Sequence, residues 1–191
     1  MDIIFWSGGK DAYLAFEYHR RNHPERPLQL LTTYEEQSGI VPHQNIPLSH
    51  IRKQAAHLKL ELIAVPLPPE CPNETYLQKV EEALSKQQDI NHLVFGDWHL
   101  QDIRAWREKV FRNMGYDCLF PIWEKSIHDL LPILQLKPVR IEISAVKEEY
   151  QPLLKVGEPF DQALMLQLQH LPDIDPMGEN GEFHTKLIFK K

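Results

Sequence analysis

The chain has 191 residues, 42% of them hydrophobic and 25% charged, with a formal net charge of -6. That length suits one domain, or one domain with a modest appendage, and the composition is that of a globular protein with a proper core. The acidic balance argues against broad binding to nucleic acid or to acidic membranes, which needs a basic face. A bound nucleotide would therefore need its own local cluster of Lys and Arg.

Cys71 and Cys118 are the only cysteines, far apart and without a C-x-x-C pair. This fits a reducing compartment and gives neither a disulfide framework nor a zinc knuckle. The opening residues show no basic segment followed by a long apolar one, and no stretch approaches eighteen apolar residues, so a cytoplasmic location and no membrane partner are expected.

The first element is a short apolar strand, Ile3-Ile4-Phe5-Trp6, followed by Ser7-Gly8-Gly9-Lys10-Asp11-Ala12 and a segment with helical spacing over 12–21. Strand, glycine turn and helix together bring backbone N–H groups and the positive end of a helix dipole to bear on an anion. Two adjacent glycines admit positive φ and close approach of a ligand, and successive N–H groups form an anion-binding nest. Asp11 suits a first helical turn. Lys10 opposes the dipole there, by about 0.3–1 kcal/mol, which makes sense if a polyanion sits beside it. The segment reads as a phosphate-binding loop, although an ordinary strand-to-helix turn with a solvated lysine fits the same string. It lacks the four residues that the commonest phosphate loop places before its Gly-Lys-Ser/Thr.

Leu28–Tyr34 reads as a buried second strand, and 35–45 as a loop at its carboxyl end, where open α/β sheets bind ligands. His43 in that loop reads as a surface histidine. Pro47 opens a helix to Leu58, whose His50 and His57 are too far apart to chelate and read as structural. Glu61–Val65 is a third strand, the Pro-rich stretch 66–72 is irregular, and Asn73 is expected to cap a helix running to about Lys86. His92–Asp97 is a fourth strand, ending in Gly96 and Asp97 on the same rim as the Gly-Gly loop. Asp97 suits either a helix cap or a group at the ligand or its Mg²⁺.

The helix from about Leu100 to Met114 is dense in charge. Its Arg104 and Arg107 are either partners in surface pairs, as the Arg104–Glu108 spacing suggests, or the cations a nucleotide needs. Tyr116–Phe120 is a fifth strand and Pro121–Glu124 turns out of it. Strands alternating with helices predict a parallel sheet covered on both faces. After Ser126 the rhythm changes to a helix over Ile127–Gln135, a half-exposed strand over Pro138–Ser144 and a helix over Asp161–Leu171. The chain thus divides into a first domain over 1–125, which carries the Gly-Gly-Lys loop, and a small α+β subdomain over 126–191.

The loop 173–185 packs Glu179, Asn180, Gly181, Glu182, His184 and Thr185 together, before a short strand Leu187–Phe189. Alone it is a polar turn; beside a nucleotide loop, its carboxylates and histidine suit an ammonium group, Mg²⁺ or proton transfer.

Ser-Gly-Gly-Lys-Asp resembles the PP-loop of the adenine nucleotide α-hydrolase superfamily, the N-type ATP pyrophosphatases. Together with Phe-Gly-Asp…Arg…Arg-Glu…Phe-Pro-Ile-Trp and Gly-Glu-Asn-Gly-Glu-Phe-His-Thr, it is similar to the diphthine–ammonia ligase family, and to that family's bacterial branch in particular. The resemblance implies a HUP-type Rossmann-like fold with a five-stranded parallel sheet, and an AMP-forming ligase that activates a carboxylate with ATP for attack by ammonia or an amine. It implies that Ser7, Gly8, Gly9, Lys10 and Asp11 grip the phosphates, with Lys10, Asp11, Glu179 and Glu182 in the chemistry and Asp11 available to Mg²⁺. Gly96, Asp97 and Arg104 fall beside the nucleotide, while Glu108, Trp123, Asn180, Gly181, His184 and Thr185 fall to the substrate. ATP, Mg²⁺, an acceptor acid of unknown identity and ammonia or an amine are the implied ligands, with room for a homo-oligomer. Ala12 stands where the family motif ends in Ser, so one hydroxyl that could bond a phosphate is missing. Two alternatives remain open: a non-catalytic nucleotide-binding or sensing protein, and a PP-loop enzyme that modifies tRNA, for which the two cysteines are poorly placed.

Overall fold

The structure, a computed structural model, describes residues 1–134 and 139–189. In chain order the first half comprises β1 (Asp2–Phe5), α1 (Lys10–Asn22), β2 (Leu28–Glu35), β3 (Ile40–Val41), β4 (Ile46–Pro47), α2 (Leu48–Leu58), β5 (Leu62–Leu67) and α3 (Asn73–Leu84). There follow β6 (His92–Val94), α4 (Gln101–Asn113), β7 (Asp117–Leu119), α5 (Ile127–Leu134), β8 (Val139–Val146), a short 3₁₀ turn, α6 (Gln162–Leu168) and β9 (Phe183–Phe189). Gln135 and Pro138, expected to end a helix and begin a strand, lie outside the described residues.

Five strands form one parallel sheet in the order β5-β2-β1-β6-β7. β1 is central, and the chain leaves it first toward β2 and later returns to its other side at β6, which makes the carboxyl ends of these strands a topological switch point. Side chains alternate faces with period two. Ile3, Leu31 and Leu93 pack under α3 and α4, whereas Ile4, Leu30 and Val94 pack under α1, α2 and the C-terminal segments. The predicted doubly covered α/β sheet is what forms.

The C-terminal residues add a two-stranded antiparallel ribbon of β8 and β9. One apolar cluster runs without a break from Trp6 and Phe16 to Leu130, Phe183 and Leu187, so the ribbon shares a core with the face of the sheet that carries α1. The ribbon is longer than its sequence pattern indicates. Phe183, His184 and Thr185, expected in a polar loop, are the first residues of β9, because Phe183 buries its ring against Phe160 and pairs in register with Val146. The loop over 35–45 likewise contains β3 and the turn that leads into its antiparallel partner β4. Asn73 is the first residue of α3 rather than its cap; Pro72 holds the cap position and makes no side-chain cap bond. Among the described residues, no helix is long and apolar enough to cross a membrane.

Candidate functional site

The Gly-Gly loop is held from three sides. Gly8 has φ +82°, and a Cβ there would lie 2.5 Å from Ile51 Cδ1 and 2.9 Å from Gln54 Oε1, so this position takes only glycine without a shift. Gln54 Nε2 donates to the carbonyls of Gly8 (3.1 Å) and Leu187 (2.8 Å), and its Oε1 accepts from the Trp6 indole at 2.8 Å. The Leu187 amide donates to the Gly8 carbonyl at 2.9 Å, which joins β9 to the loop. Gly96 closes the third side. A Cβ on it would lie 2.8–2.9 Å from the backbone of Asp11 and Ala12, so the end of β6 packs directly on the first turn of α1.

That first turn has no side-chain cap from Gly9. Instead Thr185 Oγ1 accepts from the Lys10 amide at 3.0 Å, across 175 residues of sequence, and satisfies one of the donors a helix start leaves open. Ser7 Oγ accepts from the Gly9 amide at 3.3 Å.

Lys10 is 3% exposed and turned inward. Its Nζ donates to Asp11 Oδ1 at 2.7 Å and Oδ2 at 2.8 Å and lies 3.6 Å from Glu179 Oε1. Burial works against the ammonium, but Asp11 and Glu179 outweigh it and hold its pKa above the ordinary lysine value. Glu179 shows the opposite imbalance. Burial, then the neighbouring Asp11 charge, push its carboxyl up to about 8 despite Lys10. Two carboxylates and one ammonium in this space leave a net negative centre, and Glu179 answers by holding a proton at neutral pH.

Glu182 has a different place. It is buried, with Oε1 accepting from the Asp175 amide (2.7 Å) and Asn180 Nδ2 (3.2 Å), and Oε2 accepting from the Asn180 amide (3.0 Å). Asp175 Oδ1 accepts in turn from the Met177 and Glu179 amides. Glu182 and Asn180 are thus the clasp that shapes the loop carrying Glu179, and the bonds that make the clasp use both Glu182 oxygens.

These elements surround a cleft of about 1070 Å³ along the carboxyl rim of the sheet. Ser7, Asp11, Ala12, Gly96, Asp97, Glu179, Gly181 and His184 line it, whereas Gly8, Gly9, Lys10 and Thr185 stand just behind and support the wall. His184 faces His43 across the cleft, rings 6.0 Å apart, so the histidine of the hairpin tip is exposed yet beside the site. Burial, then the His43 and Lys10 charges, lower the pKa of His184 and leave its imidazole neutral.

Of the two arginines weighed on α4, the one on the lining is Arg107. Its guanidinium stacks on Phe95 at 4.6 Å, and its Nε makes a 2.7 Å ion contact with Asp97. Burial raises the pKa of Asp97, and Arg107 offsets part of that. Arg104, Glu108 and Trp123 stand apart from the cleft. Arg104 Nε donates to Glu108 at 2.9 Å, and its guanidinium lies 4.6 Å from the Trp123 ring and 5.0 Å from that of Phe120. The Arg–Glu and Phe-Pro-Ile-Trp segments meet one another there, in a cluster that braces α4 against the turn after β7.

Half-exposed Asp11 and buried Glu179 are hard oxygen donors that repel one another, so a divalent cation such as Mg²⁺ fits them and would relieve the proton held by Glu179. Among the described residues no three acidic, His or Cys side chains form a closed metal cage.

No protein-family model matches the chain, and no curated protein matches it. Among solved structures the chain is similar, over 100% of its length and 99% of the other, to a protein from Methanocaldococcus jannaschii described as a predicted subunit of tRNA methyltransferase. The two share 14% sequence identity and a TM-score of 0.53, which is a likeness of fold.

Proposed function

We propose that this chain binds ATP as its magnesium complex and uses it, as an AMP-forming ligase of the PP-loop type, to join a carboxylic acid to ammonia or an amine. The observation that carries this reading is the meeting, on one rim, of a glycine loop at a helix start with the Asp11–Lys10–Glu179 centre delivered by a distant strand. A buried carboxyl raised to about 8 beside a cleft supports the same reading, because strongly shifted groups cluster at functional sites.

In the proposed reaction an oxygen of the acceptor carboxylate attacks the α-phosphorus. The bond from that phosphorus to the α–β bridging oxygen breaks, and pyrophosphate leaves with the electron pair. Ammonia then attacks the acyl carbon, the carbon–oxygen bond to AMP breaks, and the nitrogen gives up one proton. Asp11 and Glu179 would hold Mg²⁺, which would supply charge neutralisation at the phosphates. Lys10 keeps those carboxylates in place and adds positive charge behind the departing pyrophosphate. His184, neutral and on the lining, takes the proton from nitrogen. Glu182 has no part in that transfer, because its oxygens hold the loop.

Incubation with MgATP, ammonium and a panel of acids, followed by assay for AMP and pyrophosphate, tests the proposal; acid-dependent formation of both is expected. A second reading, a nucleotide-binding sensor without turnover, is favoured by Ala12 and by the inward turn of Lys10. Tight ATP binding with no AMP across the panel would select it. The description of the archaeal neighbour points to RNA modification as a third reading. A lining that carries Asp11, Glu35, Glu70, Asp97, Asp102 and Glu179 against Arg107 lacks the run of cations that a nucleic-acid backbone needs, and a tRNA shift assay decides the matter.

A further inference from the structure

The cleft, at about 1070 Å³, stands at the upper end of the range of small-ligand pockets, about 300–1,000 Å³. It also has two unlike arms leading from the Gly-Gly loop. One runs over β2 and the hairpin, past Thr32, Thr33, Glu35 and Gln44. Its Thr32 hydroxyl is buried and has no hydrogen-bond partner, which suits the polar edge of a base. The other arm runs between the starts of α3 and α4 and is apolar: Leu67, Cys71, Tyr76, Leu100, Ile103 and Trp106.

This second arm is built and fixed. The Tyr76 and Trp106 rings lie 6.4 Å apart at 35° and form one continuous aromatic wall. Tyr76 stands close enough to the Arg107 guanidinium to feel its charge, and Arg107 is itself stacked on Phe95 and paired with Asp97. Ile103, 37% exposed, is a large apolar side chain left open to the same space. Asp102 and Glu70 flank the wall, so a second carboxylate or a phosphate entering here meets like charge.

We propose that the Tyr76–Trp106 arm seats the flat, apolar, preferably aromatic body of the acceptor, a monocarboxylic acid whose carboxylate points back to the Gly-Gly loop. The proposal rests on the ligase reading for the identity of the reacting group, but the arm's preference for aromatic ligands is measured without turnover. Acids that carry a second carboxylate or a phosphate on that body are disfavoured by Asp102 and Glu70 beside the wall.

The test is a titration of the protein, with and without MgATP, by 2-naphthoate, octanoate and glutamate, read by intrinsic tryptophan fluorescence and by calorimetry. Naphthoate is expected to bind about tenfold or more tightly than octanoate, in keeping with the worth of aromatic contacts beyond buried area, and glutamate not to bind. Trp106→Phe should abolish most of the fluorescence change while keeping calorimetric binding. Trp106→Ala should weaken naphthoate about tenfold and leave ATP affinity unchanged. Equal affinity for naphthoate and octanoate overturns the proposal. So does a loss of ATP affinity in Trp106→Ala, which would place the adenine in this arm. If the wild type takes up naphthoate selectively but binds no ATP, the ligase reading fails and the aromatic arm stands.

Discussion

The molecule buries charge at two opposite ends of its central strand, and the two ends differ in how that charge is resolved. At the amino end of β1, Asp2 is fully buried, and its carboxylate is met by His19 Nε2 (2.8 Å), His92 Nδ1 (3.0 Å) and Arg26 (3.3 Å). Burial raises its pKa, but these partners prevail and the net shift is downward. At the carboxyl end, Glu179 has too few cations around it and is pushed up to about 8. The first centre is complete in itself and ties strand, helix and loop together. The second is short of positive charge beside an open cleft, which is the state expected of a site that takes up a cation and a polyanion with it.

Opposite pH responses distinguish them. Asp2 has a folded pKa below its ordinary value of 3.8, so its contribution is present above that value and is lost as pH falls through the folded pKa. His19, lowered from 6.5 by burial, adds a loss of stability as pH falls below 6.5. Glu179 holds its proton in the folded state between 4.5 and about 8, so its contribution is present below 4.5 and is lost as pH rises toward 8.

The largest effect is expected at the closed centre. Asp2→Ala should cost about 3–5 kcal/mol in urea unfolding at pH 7, as removal of one member of a buried ionic group does. ATP affinity of the folded fraction should not change. A loss of ATP binding without a loss of stability would reverse the roles assigned to the two ends.

Next is Glu179→Gln, which should stabilise the protein at pH 8.5 by on the order of a few kcal/mol, at about 1.4 kcal/mol per pKa unit, with little change at pH 4.5. Adding Mg²⁺ should flatten the alkaline limb of the wild type and not that of the variant. An unchanged pH profile in the variant would mean that Glu179 is not under strain.

Gly8→Ala should cost about 1–3 kcal/mol and weaken ATP binding, because the new Cβ meets Ile51 and Gln54 at a positive φ. Thr185→Val removes the bond to the Lys10 amide and should cost about 1 kcal/mol in stability, with a small drop in ATP affinity.

How much of this was legible in the sequence depends on the range of the interactions. The alternation of strands and helices, and the Gly-Gly-Lys turn between the first two, depend on local periodicity and turn chemistry, and the sheet forms as expected. Glu179 reads as a site residue from the composition of its loop and Thr185 from that loop's resemblance to a family signature, and both stand at the Gly-Gly loop. The division of labour among their neighbours was not legible. Glu182 and Glu179 are chemically equivalent in the sequence, and only the fold of the loop turns one inward onto backbone amides and the other toward Lys10. Arg104 and Arg107 lie three apart on one helix, and the choice between them is made by which ring each can reach, Trp123 or Phe95. Gln54 and the Asp2 group gave no signal, since a glutamine in a helix and an aspartate ahead of an apolar strand are unremarkable until partners 46 and 17 residues away are placed against them.

The central claim, that the charge-deficient end of the sheet is a magnesium–ATP site, is tested most directly by calorimetric titration of the wild type and Lys10→Met with ATP, in the presence and absence of Mg²⁺. Saturable one-site binding by the wild type is predicted, dependent on Mg²⁺, accompanied at pH 7 by release of the proton held on Glu179, and absent from Lys10→Met. ATP binding that ignores Mg²⁺ and survives the loss of Lys10, or no binding by the wild type at all, would contradict it.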